Sequence, residues 1–265
     1  MTTLADIMLD VAEILGGVRV GTATGGSTTT LVDTNRTEPA EYWLDGTLFL
    51  LSGTYAGVAS RISAYSENTI TVPATVGGAI VAGVQYAVAP PKYTFDQMQI
   101  AIQRAIDEVG EAVAVDITTL VTATTHTYAL PAGVSNVLRV EVASSTTSPY
   151  SFQPTYFWEE NSGYIYFVPT KAPSTVGAII RVWYRTPHAA LSLYSTVVSP
   201  NVNQEWLKWK AVVNVYRDTI SQTGKDDAVI IELLNQAMAK EKELQMRRKS
   251  LHNYITSNDP KLASY

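Results

Sequence analysis

The chain has 265 residues, of which 46% are hydrophobic and only 16% charged, with a formal net charge of −5 and a pI near 5.2. The acidic balance argues against a dedicated nucleic-acid binder with a broad basic face. The absence of cysteine excludes disulfides, thiolate zinc sites and thiol nucleophiles together. The length admits one elaborate domain or two or three small ones. The charged fraction lies below the roughly 25% usual for globular domains. That fits either a surface partly covered by neighbouring chains or a Thr/Ser-rich β protein whose exterior is polar without being charged. No apolar run approaches the ~20 residues that span a bilayer, and the first residues lack the basic and apolar regions of a signal peptide. The expectation is a product made and used in a cytoplasm, with no membrane partner.

Thr3 precedes Leu4, Ile7, Met8, Val11, Ile14 and Leu15, whose 3-and-4 spacing predicts an amphipathic helix over 1–16, with Asp6 completing a capping box. Gly16 and Gly17 end it. Residues 18–90 read as short strands separated by turn signals, among them Thr47–Leu51, Val58–Tyr65, Thr69–Val72 and Gln85–Val88. Such spacing predicts a small barrel or sandwich. After Pro90 and Pro91, Thr94 and Gln97 form a second capping box ahead of Phe95, Met98, Ile102, Ala105, Ile106, Val109 and Val113, which predicts a helix over 94–115. A second β block spans 118–186, with strands at His126–Leu130, Asn136–Val142, Tyr164–Val168 and Ile179–Tyr184. The chain then returns to helix over 203–250. Trp206, Trp209, Val213, Tyr216 and Ile220 step by 3 and 4 to a stop at Gly224. Asp226 and Asp227 open a last helix that carries Ile230, Leu233, Leu234 and Ala237 and ends in basic residues, a charge order that suits the helix dipole. Residues 251–265 show no period and contain Pro260, so they read as an extended tail.

The order is helix, β block, helix, β block, helix, helix. The first two helices have no helical neighbour in sequence, yet each has an apolar face to bury. The predicted fold class is therefore α+β. A four-helix bundle core comes from 1–16, 94–115 and 203–250, with two inserted antiparallel β modules at 18–90 and 118–186 and an extended C-terminal tail.

Signals for chemistry are weak. His126, His188 and His252 show no metal-ligand spacing, and no metal or cofactor is expected. A Ser-His-Asp arrangement can be scattered in sequence, but there is no Gly-x-Ser-x-Gly elbow. Glu159 and Glu160 are adjacent and so point to opposite faces of a strand, which argues against a glycosidase dyad. A hydrolase would have to rest on a histidine or on Glu160. Gly224-Lys225 lacks the upstream glycine of a P-loop, since position 219 is a threonine. Lys240, Lys242, Arg247, Arg248 and Lys249 interleave with Glu241 and Glu243. They read as a mixed solvated helix face or as a docking or lumen-facing basic patch. The 15 tyrosines point toward interfaces, where a large ring with a polar tip is favoured. Tyr150, Tyr156, Tyr194, Tyr254 and Tyr265 fall in loops or the tail. Leu251, Tyr254, Ile255, Leu262 and Tyr265 are tail residues that no nearby element buries, as expected of an assembly element.

Residues 41–65 with Thr69–Val72 look like a small β module common in phage virion proteins. The stretch 128–140, then 163–168 and 181–184, followed by the Trp206 and Ile230 helices, is similar to head-tail adaptor proteins of tailed bacteriophages. The resemblance implies a non-enzymatic virion protein of the neck, assembled in the host cytoplasm. It implies a homo-oligomeric ring, commonly twelvefold, that joins the portal protein to the next neck or tail protein. DNA passes through such a ring without specific binding, and the C-terminal segment docks on the portal. The alternative is a baseplate or other virion binding module that takes a carbohydrate or a receptor.

Overall fold

The structure, a computed structural model, describes residues 2–74, 76–123, 125–132, 134–199, 202–223 and 228–257. It divides into two compact units, residues 1–109 with 189–265, and residues 110–188.

The first unit opens with α1 (Leu4–Ile14). Thr3 caps it by accepting from the Asp6 backbone N–H, and the Asp6 side chain returns the bond to Thr3. Eight strands follow: β1 (Arg19–Thr22), β2 (Gly25–Gly26), β3 (Thr30–Val32), β4 (Thr47–Leu50), β5 (Ala59–Arg61), β6 (Ala64–Ser66), β7 (Thr69–Thr71) and β8 (Gln85–Ala89). They form two antiparallel sheets with orders β1-β8-β4-β5 and β2-β3-β7-β6. Leu31, Trp43, Leu48, Leu50, Ile62, Tyr65, Ile70, Tyr86 and Val88 belong to one apolar cluster. Gly21 stands opposite Tyr86, where a Cβ would meet the ring at 2.6 Å, so only glycine lets the tyrosine lie across β1.

All four residues of β4 are buried. Leu48 and Leu50 join the cluster between the sheets, whereas Phe49, with Ala87 and Ala89 of β8, joins a second cluster formed with the helices. The helices are α1, α2 (Phe95–Asp107), α3 (Gln204–Thr223) and α4 (Ala228–Ser257). α2 has the Thr94–Gln97 capping box and buries Met98, Ala101, Ile102, Ala105 and Ile106. α3 packs against α1, α2 and α4, and every residue from Lys210 to Tyr216 is buried, as a central helix requires. Its polar residues find partners on α2 and just after it. Asn214 Nδ2 donates to the Ala101 carbonyl at 3.1 Å, and Lys210 Nζ lies 2.7 Å from Glu108 Oε2. The segment before α3 ties both early helices down. Leu4 and Ala5 donate to the carbonyls of Thr196 and Tyr194 at 2.9 and 3.0 Å. Gln103 Oε1 on α2 accepts from the Leu191 N–H at 2.8 Å.

The second unit contains β9 (Ala112–Leu120), β10 (Thr127–Ala129), β11 (Ser135–Ala143), β12 (Phe152–Thr155), β13 (Trp158–Asn161), β14 (Tyr164–Phe167) and β15 (Ile179–Thr186). Its antiparallel sheets have orders β12-β11-β15-β9 and β10-β14-β13. They share a core that includes Val121, Tyr128, Val140, Ile165, Phe167, Ile180 and Val182. Tyr128 and Phe167 meet edge to face, with centroids 5.7 Å apart.

The expected four-helix bundle core is overturned. The described residues form a sheet-rich fold of four antiparallel sheets with four helices. The physical reason is the two-sided burial of β4 and β8. The helices bury their apolar faces on a sheet as well as on one another, so sheet residues are part of their core. The expected extended tail is corrected as well, because α4 continues as helix through Ser257; residues 258–265 lie outside the described residues.

Ile102 is fully buried in this mixed core, while Ile100 on the same helix is exposed. Ile102→Ala is expected to cost about 2–5 kcal/mol. Ile100→Ala is expected to stay within about 0.5 kcal/mol of the parent. Urea unfolding followed by tryptophan fluorescence checks both, and equal effects would contradict the placement of the core.

Candidate assembly surfaces

On α4, Ile230, Leu234, Ala237 and Leu244 pack on the helical cluster. Their 4-3-7 spacing leaves the intervening turn to Glu241, whose Oε1 accepts from Trp206 Nε1 of α3 at 2.9 Å. The i and i+3 tryptophans at 206 and 209 are thus core residues, with Trp206 buried and Trp209 packed against the same cluster. Outside that seam, Val229, Leu233, Met238 and Met246 of α4 are exposed.

The basic patch is only partly formed by described side chains. Lys240 Nζ pairs with Glu243 Oε2 at 3.0 Å, which cancels its charge locally, and Lys242 is exposed. Arg247, Arg248 and Lys249 lie on α4, as do Leu251, Tyr254 and Ile255, but their side chains lie outside the described residues, as do Leu262 and Tyr265 entirely. Tyr150 and Tyr156 are exposed, whereas Tyr194 packs against the apolar clusters of the first unit.

The second unit carries a site that the sequence reading missed. Glu141 of β11 has a side chain only 3% exposed. It forms ion pairs with Arg139 and Arg181 and accepts from Trp183 Nε1 at 3.0 Å. The Arg181 guanidinium also stacks over the Phe152 ring, 3.8 Å from its centroid. Burial alone would raise the Glu141 carboxyl. The Trp183 N–H, the Arg181 hydrogen bond and the two guanidinium charges outweigh it and hold the group below the usual carboxylate range. In sequence, Arg139-x-Glu141 and Arg181-x-Trp183 show only as alternation. Their meeting depends on the pairing of Glu141 with Arg181 and of Arg139 with Trp183.

On the other sheet of this unit, Tyr164 and Tyr166 have ring centroids 6.2 Å apart. Asn161 is opposite Tyr164 and Glu159 opposite Tyr166 in the register. Glu160 Oε2 instead accepts from the Val137 N–H at 2.8 Å, which gives that acid a structural role.

A second polar network lies in the first unit. Tyr86 donates to Asp33 Oδ2 and accepts from Arg36 Nε, both at 2.6 Å. Arg36 and Tyr65 converge on Glu38. Burial and the Glu38 carboxylate push the Tyr65 hydroxyl up to about 12. Every member is engaged with another, and the network braces the sheets. A groove of about 490 Å³ near the start of α1 is lined by Thr3, Asp6, Leu9, Phe49 and Leu51. Its one acid is held by the capping box, so no set of polar groups converges there. Among the described residues, no group of three or more His, Asp or Glu side chains is placed to hold a metal, and no helix is long and apolar enough to cross a membrane.

Comparison of the sequence with models of known families and with curated proteins finds no match.

Glu141→Gln removes the charge that two guanidiniums share and is expected to cost about 1–3 kcal/mol at neutral pH. The folded carboxyl titrates below its unfolded counterpart. Its contribution is therefore complete above the ordinary carboxylate range and lost as pH falls through the depressed folded value. Thermal unfolding measured from about pH 7 down to about pH 3 should show the parent converging on the variant in acid. A constant gap would contradict the assignment.

Proposed function

We propose that this chain is a non-enzymatic structural protein of a tailed-bacteriophage virion, a head-tail adaptor. It forms a homo-oligomeric ring that joins the portal to the next neck or tail protein around the DNA channel. The observation that carries the reading is α4. Ile230, Leu234, Ala237 and Leu244 of this helix pack on the core, whereas Leu233, Met238 and Met246, spread around the rest of its circumference, are exposed. Large apolar side chains left exposed along a long helix suit a chain that engages neighbours. In this reading residues 251–265 dock on the portal, with Leu251, Tyr254, Ile255, Leu262 and Tyr265 as contacts and Lys242 and its basic neighbours beside them. The acidic net charge lets DNA slide past without tight phosphate contacts.

One observation favours a second reading, a virion module that binds a carbohydrate. The paired rings of Tyr164 and Tyr166 lie opposite Asn161 and Glu159, a platform with polar flanks. Binding to a glycan array that is lost in Tyr164→Ala would favour it.

Electron microscopy of the purified chain, alone and mixed with portal rings, tests the adaptor reading. Rings stacked on the portal are expected, and single copies that ignore the portal would overturn it. Truncation after Ser250 should leave thermal unfolding nearly unchanged and weaken portal attachment at least ~10-fold, about 1.4 kcal/mol. A truncated chain that binds at full strength would remove the docking role of the segment.

A further inference from the structure

A second concavity lies wholly within the unit of residues 110–188, where the ends of β11 and β12 meet the short turn Pro169–Lys171 and the segment after it. Its volume is about 230 Å³. Six polar side chains line it, those of Ser144, Gln153, Thr155, Lys171, Ser174 and Thr175, and no acid lies among the described residues around it. Strand register builds the first wall. Val140 stands opposite Thr155 and Val142 opposite Gln153, and directly opposed residues of an antiparallel pair share a face. The Ser144 N–H donates to the Ser151 carbonyl at 2.8 Å and holds the end of that hairpin. Backbone bonds fix the second wall as well. The Lys171 N–H donates to the Val168 carbonyl at 2.8 Å, and the Thr175 carbonyl accepts from the Ala178 N–H at 3.0 Å. Walls set in this way lose little freedom when a ligand enters.

Among the described residues, none of those six side chains has a hydrogen-bond or ion-pair partner. The four hydroxyls and the Gln153 amide can each donate and accept, as the hydroxyls of a polyol do. The Lys171 ammonium only donates. It stands 5.6 Å from the centroid of the Phe157 ring, an attraction that restricts where the ammonium swings, and no lining carboxylate balances its charge. We propose that this pocket binds a sugar acid, one unit of hexuronate size whose carboxylate pairs with Lys171 and whose hydroxyls meet Gln153, Thr155 and the remaining hydroxyls. A neutral sugar would leave the ammonium without a counter-charge, and a bare phosphate would leave most of the hydroxyls unused. Val142 and Pro154 add apolar lining, the usual complement to a few placed polar groups. The volume lies below the roughly 300–1,000 Å³ of sites for drug-sized ligands, so a single unit enters, as a free molecule or as the end of a longer chain. The inference shares a ligand class with the carbohydrate reading but none of its residues, since Tyr164 and Tyr166 belong to the other sheet of this unit, and it does not rest on the ring reading.

Ligand-detected NMR on the full chain tests this, with glucuronate, galacturonate and N-acetylneuraminate as probes and glucose and inorganic phosphate as controls. At least one of the acids is expected to bind at least ~10-fold more tightly than either control. Lys171→Gln should weaken that binding at least ~10-fold, and Thr155→Val about 2–10-fold, both with the unfolding temperature of the parent. Tyr164→Ala should leave it unchanged. A short oligomer of the same acid that binds as tightly as the monomer places the ligand at a chain end, whereas an oligomer that fails to bind assigns the pocket to the free sugar. No binding by any of the three acids, or binding that survives Lys171→Gln, would overturn the proposal. Binding lost in Tyr164→Ala and kept in Lys171→Gln would overturn it while leaving the carbohydrate reading intact.

Discussion

Two strands buried on both faces set the terms for the first unit. In β4 and β8, Leu48, Leu50, Tyr86 and Val88 enter the core between the sheets, while Phe49, Ala87 and Ala89 enter the core under the helices. Such strands need a partner layer on each side. The second sheet supplies one layer, and the helices supply the other. α1 and α2, at 11 and 13 residues, are too short to be stable alone in water. Their helicity follows from burial against these strands and against α3, which the chain reaches only after the whole second unit. The early helices and the late ones therefore form a single core.

This arrangement decides which groups are left for other uses. In the first unit Asp33, Arg36, Glu38, Tyr65 and Tyr86 satisfy one another. In the second, Glu141 pairs with both Arg139 and Arg181. Buried polar groups so engaged specify the packing of their sheets. Among the exposed residues are large apolar ones on two long elements, Leu233, Met238 and Met246 on α4 and Val115 and Ile117 on β9. Surfaces of that kind suit other polypeptides better than a small substrate, which needs a concave site with a few converging polar groups.

How much of this was legible depended on the range of the interaction. The capping boxes at Thr3–Asp6 and Thr94–Gln97 are local, and the helix starts read from them agree with the structure. The run Leu48–Leu51 was visible as apolar throughout, but nothing local says which layers cover its two faces, and a helix-only core was the wrong completion. α4 runs beyond the expected end at 250 because residues 251–257 hold neither glycine nor proline to stop a helix, and the next proline comes only at Pro260. The Glu141 site was invisible for a different reason. It needs the register between β11 and β15, which shifts between Ser135 and Val137 and again before Arg139, and no feature of either strand alone fixes those shifts.

The claim that one core is closed by both ends of the sequence is tested most directly by native-state hydrogen exchange on the full chain. The account predicts that the most protected amides of α1, α2, α3, β4 and β8 share one opening free energy under mild denaturant and are lost together. If α1 and α2 instead exchange at far lower free energy than β4 and β8, the helices are ornaments on an independent β fold, and the shared core is contradicted.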